Sequence, residues 1–132
     1  MGAWGTGAFD NDDASDWVDE LEDGGIDAIE SALDDAVRSS DLSAPTDVEA
    51  IAAAEVVAAA IGRPRPDLSE DIAALVAHVA PSVTPEHTAR ARTAVERVLN
   101  ASELGELWAE TDDADEWRGL VEDLIKRLAP DA

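Results

Sequence analysis

The feature that most constrains this chain is the run AIAAAEVVAAAI at residues 50–61, in which Glu55 is the one charged residue. As a helix the run would be apolar on every side, and a helix that is apolar all round is normally buried. A buried carboxylate must be paired or hydrogen-bonded. The run therefore predicts a buried helix, with Glu55 paired or hydrogen-bonded inside the protein.

The remaining apolar residues recur at helical spacing. Ala14, Trp17, Val18 and Leu21 follow the i, i+3, i+4, i+7 pattern of one buried helix face. Comparable stripes begin at Ile26, Ile72, Ala91 and Trp117. No segment alternates polar and apolar residues long enough to predict a strand. We predict an all-α fold, a single compact bundle of six or seven short helices spanning residues 1–132.

Turn-forming residues suggest where the helices begin and end. Residues 39–45 are predicted to form a loop, and Thr46 then opens the central helix as part of a capping box. Gly62 is expected to end that helix. The prolines that follow predict a stiff connector at residues 62–67, inside the domain. Thr84-Pro85 predicts a further helix start, with proline at the first helical position.

The first eleven residues, MGAWGTGAFDN, combine small residues with two large aromatic ones. Glycine lets the backbone bend tightly and approach other atoms closely. We predict an irregular N-terminal strap over residues 1–11, whose rings enter the core and whose backbone or indole N–H groups bind the Glu55 carboxylate. The residues assigned to this anchor are Trp4, Gly5, Gly7, Phe9 and Glu55. A general base or a metal ligand is the alternative role for Glu55.

The chain is strongly acidic. It has 31 Asp and Glu residues against 9 Lys and Arg, a net charge of -22. Residues 1–37 hold twelve of the acids and no lysine or arginine. The electric field of so negative a protein repels nucleic acid and anionic membranes, and it attracts cations and basic protein surfaces. Runs of charge are usually solvated surface, as in hosts whose proteins are generally acidic. The alternative is a docking face for a basic partner.

No motif for a known reaction or cofactor is present. The glycine-rich opening lacks the lysine of a phosphate loop. An EF-hand starting at Asp10 would place Ala14, Ser15 and Leu21 at positions that require ligands or glycine. Cysteine is absent, which excludes disulfides and thiolate chemistry. A looser divalent-cation site remains as an alternative, formed by Asp10, Asp12 and Asp16, with Asp13 beside them.

Three segments resemble a bacterial family catalogued as domain of unknown function 4259. The opening supplies Trp4, Gly5, Gly7, Phe9, Asp10, Asn11 and Asp12. The middle supplies AAAEVVAAAIG, and the end supplies SELGELWAETDDADEWRGLVEDLIKRL. The resemblance covers nearly the whole chain and implies a stand-alone bacterial cytoplasmic protein. It implies no activity, cofactor or partner.

Two hypotheses for function follow from these observations. The first is a small acidic protein that binds another, basic protein through an acidic N-terminal face made by the first two helices, without a cofactor and without binding nucleic acid or a membrane. The second is a divalent-cation-binding protein or metal-dependent enzyme that uses the Asp10, Asp12 and Asp16 cluster or Glu55. The residues favour a binding protein over an enzyme. No stretch is long enough for a membrane helix and no basic signal-peptide region is seen, so a cytoplasmic location is expected.

Overall fold

A computed structural model describes residues 12–38, 44–63, 70–100, 109–110 and 114–128. These residues form six α-helices and one short 3-10 helix at Ala80–Ser82, and none of them lies in a strand. The α-helices are α1 (Asp12–Gly24), α2 (Ile26–Arg38), α3 (Ala44–Ala60), α4 (Glu70–Val79), α5 (Pro85–Asn100) and α6 (Ala114–Arg127). The predicted all-α fold is confirmed.

Helix α3 occupies the centre of the bundle. Residues 50–58 are all buried, and α3 contacts α1, α2, α4, α5 and α6. Its many alanines give it a thin surface on every side, which allows several helices to pack against it at once. The prediction that this helix is buried is therefore confirmed, and its central position is a finding of the structure.

The surrounding helices each turn one apolar stripe toward α3 and its neighbours. Trp17 and Leu21 of α1 are about 1% exposed, and Trp117 of α6 is 4% exposed. Full burial of a large apolar side chain stabilises the fold by about 1.5–3 kcal/mol. The largest fully buried apolar side chains are Trp17, Leu21, Ile29, Leu33, Leu124 and Leu128.

The helix boundaries agree with the sequence in most places, with one correction. Helix α3 begins at Ala44, two residues before the predicted start at Thr46 and inside the predicted loop at 39–45. Pro45 thus lies in the first turn, where its missing N–H would have no helical partner in any case. Helix α5 begins at Pro85, as predicted.

A left-handed glycine separates the first two helices. Gly25 has φ +58°, and its N–H donates to the carbonyl oxygen of Leu21 at 2.8 Å. This backbone conformation is strained for residues with a side chain, which explains why the helical pattern breaks at this point.

Several predicted features lie outside the described residues. These are the N-terminal strap at 1–11, most of the connector at 62–67 and the aspartate Asp10. Among the described helices, none is long and apolar enough to cross a membrane.

Candidate functional site

Glu55 projects from the middle of α3 and is 4% exposed. Both of its carboxylate oxygens accept hydrogen bonds from Arg127 in the last turn of α6. Arg127 Nη1 lies 2.8 Å from Glu55 Oε1, and Nη2 lies 2.9 Å from Oε2. This two-pronged contact between charged groups is the strongest geometry available to an arginine and a carboxylate. It meets the requirement that a buried charge be paired.

Arg127 binds a second carboxylate on its own helix. Its Nε donates to Asp123 Oδ2 at 2.8 Å, one helical turn back. Burial of the guanidinium opposes its charge. The hydrogen bonds and negative charges of Glu55 and Asp123 outweigh this effect and raise the pKa of Arg127 above its ordinary value. Arg127 therefore carries its positive charge wherever the protein is folded.

The end of α3 is shaped to meet Arg127. Gly62 has φ +89°, its N–H donates to Ala59 O at 3.0 Å, and the Arg63 N–H donates to Ala58 O at 2.9 Å. These are the two hydrogen bonds of a Schellman motif, which ends a helix and reverses the chain. The predicted helix stop at Gly62 is confirmed, and the turn places Arg63 beside Arg127.

The side chain of each arginine donates a hydrogen bond to the backbone carbonyl of the other. Arg63 Nη1 donates to the carbonyl oxygen of Arg127 at 2.9 Å, and Arg127 Nη1 donates to that of Arg63 at 3.2 Å. We call Glu55, Arg63, Asp123 and Arg127 the Arg127 cluster. It joins the centre and end of α3 to the end of α6.

The geometry of the Arg127 cluster supports a structural role for Glu55. Both carboxylate oxygens face the guanidinium and the side chain is almost fully buried, so neither oxygen is presented to a substrate. The proposed contacts of Glu55 with Trp4, Gly5, Gly7 and Phe9 lie outside the described residues and stay a prediction.

A second candidate site is an acidic stripe on α1, which we call the α1 acidic face. Its residues are spaced i, i+3, i+4 and i+7, so they share one side of the helix. All four are exposed, and they lie opposite the buried Ala14, Trp17 and Leu21. In the described part of the chain, none of them takes part in an ion pair. The residues are Asp16, Asp19, Glu20 and Asp23.

Helix α2 is acidic too, but side chains of α5 bind part of its acidic surface. His87 Nε2 lies 2.9 Å from Glu30 Oε2, and Arg90 Nη1 binds Asp34 Oδ1. Arg97 Nη1 donates to the carbonyl oxygens of the last turn of α2, at residues 36 and 37. The acidic surface predicted for the first two helices is therefore most open on α1.

A known family model matches most of the chain. A family model described as "Domain of unknown function (DUF4259)" matches residues 2–119, from the opening segment to the first turns of α6. The chain belongs to this family. Comparisons with curated proteins and with solved structures give no match. Within the DUF4259 match lie Glu55 and the α1 acidic face, whereas Arg127 lies beyond it.

Sequence reasoning missed Arg127 as the partner of Glu55, although a signal was present. On α6, Leu124 and Leu128 belong to the buried stripe, and Arg127 lies on the border of that stripe. Lys126 points to the opposite side of the helix and is exposed. A basic residue beside a core stripe is a natural partner for a buried acid elsewhere in the bundle.

The predicted cation site can be followed only in part. Asp16 is an exposed member of the α1 acidic face, whereas Asp10 and the side chain of Asp12 lie outside the described residues. Among the residues whose placement is described, no group of three or more His, Asp or Glu side chains is arranged to hold a metal ion. The sequence-based alternative of a cation site at Asp10, Asp12 and Asp16 therefore stays a prediction.

Proposed function

We propose that this protein is a cytoplasmic protein-binding module that docks a basic partner protein through the α1 acidic face. The observation that carries the proposal is the contrast between two neighbouring acidic helices. On α2, Glu30 and Asp34 are bound by side chains of α5. On α1, four exposed carboxylates share one side of the helix and have no ion pair within the described part of the chain.

The stability of α1 does not account for this stripe. Asp16 and Glu20, like Asp19 and Asp23, are like charges four residues apart, and each such pair is unfavourable by about 0.2–0.5 kcal/mol. Asp23 also lies in the last turn, where the helix dipole disfavours an anion by about 0.3–1 kcal/mol. Helices α2 and α6 end with basic residues, whereas α1 has none in its last turn. A role outside the helix explains the stripe better.

The geometry of the stripe would suit a partner of a particular chemistry. From Asp16 to Asp23 the helix rises by about 10 Å, or two turns. A partner that presents lysines or arginines at a similar spacing, such as one face of a basic helix, would meet all four carboxylates. Contacts of this kind accelerate association and select partners by charge, and they weaken with salt.

The test compares two variants that change net charge equally. In the first, the four acids of the α1 acidic face become their amides. In the second, four exposed acids of α4 and α6 do so: Glu70, Asp71, Asp115 and Glu122. Each variant removes four negative charges and moves the net charge from -22 to -18. Capture from the native host at low and high salt should recover a basic protein with the wild type and the second variant only. Equal recovery with both variants, or recovery that is insensitive to salt, would contradict the proposal.

The competing interpretation is a divalent-cation site at Asp10, Asp12 and Asp16. Metal analysis of untagged protein, and thermal shift with magnesium, manganese and calcium, distinguish this cation site from the docking face. A docking face predicts weak stabilisation that depends only on ionic strength and ion valence. Stoichiometric metal, or saturable stabilisation by one ion that is lost in Asp16→Asn, would replace the docking proposal with the cation site.

A further inference from the structure

We draw no further inference here: the strongest candidate, the side-chain cluster of Thr84, His87 and Glu30 where α5 begins beside α2, is a helix start whose contacts stay within the bundle, and in the described part of the chain no second feature points to a ligand there.

Discussion

The contacts of the Arg127 cluster predict that removing Arg127 lowers the free energy of unfolding more than removing the charge of Glu55 does. Arg127→Met leaves the Glu55 carboxylate, which is 4% exposed, without its positive partner. An uncompensated buried charge of this kind costs about 3–5 kcal/mol. Glu55→Gln leaves Arg127, whose side chain is 15% exposed and still bound to Asp123. The loss in that variant should be about 1.5–3 kcal/mol, since one of the two charged hydrogen bonds is lost and the other is weakened, while the cation keeps Asp123 as a partner.

The double variant Glu55→Met with Arg127→Met provides the decisive comparison. Replacing both members of a buried ion pair by apolar residues of similar volume is often neutral or stabilising. The double variant should therefore be more stable than Arg127→Met alone, by about 2 kcal/mol or more. The measurement is the free energy of unfolding from urea denaturation at pH 7, with the slope m checked for constancy.

Lys126→Met serves as the matched control, because it removes the same charge from the adjacent, exposed position of α6. It should change the free energy of unfolding by no more than about 0.5 kcal/mol. The reasoning would be refuted if Arg127→Met were as mild as this control, if Glu55→Gln were the more damaging single change, or if the double variant were less stable than Arg127→Met.

Four further predictions concern two glycines, a helix end and the surface charge. Gly62→Ala should lower the free energy of unfolding by about 1–2 kcal/mol, because φ is +89° there and no atom lies near the new methyl group. Gly119→Ala, inside α6 and equally open, should raise it by about 0.5–1 kcal/mol in the same urea assay. Arg97→Met should cost about 1–3 kcal/mol, since Arg97 binds carbonyl oxygens at the end of α2, and an unchanged melting temperature would contradict this. Raising sodium chloride from low to about 0.5 M should raise the melting temperature by screening the net charge, and a flat response would argue against self-repulsion.

The parts of this fold that could be predicted depend on neighbours in sequence. The burial of α3 follows from a composition that is apolar on every side, and the stop at Gly62 follows from local backbone geometry. The need for a partner at Glu55 was also evident from its surroundings. The identity of that partner was not, because Arg127 is 72 residues away and is brought close only when α6 packs against α3.

The same limit applies to the acidic surface. The distribution of acids predicted a negative face made by α1 and α2. The contacts of α5 with Glu30 and Asp34 divide that face, and they join residues more than 50 positions apart. Similarly, proline at the start of α5 could be predicted, whereas the contact of His87 with Glu30 depends on how α5 packs against α2.

The scarcity of cations connects the stability of this protein to its proposed function. With 9 basic residues against 31 acidic ones, not every carboxylate can have a basic side chain of its own, and the fold determines which ones are paired. In the described part of the chain, four arginines join elements that are distant in sequence: Arg63, Arg90, Arg97 and Arg127. The contacts described above for these four arginines join α2, α3, α5 and α6 to one another. Cations placed to hold the bundle together thus leave α1 as a two-turn row of exposed negative charge. A basic partner would supply the charges that the chain has used elsewhere, so its binding should raise the melting temperature most at low salt, where the repulsion along α1 is strongest.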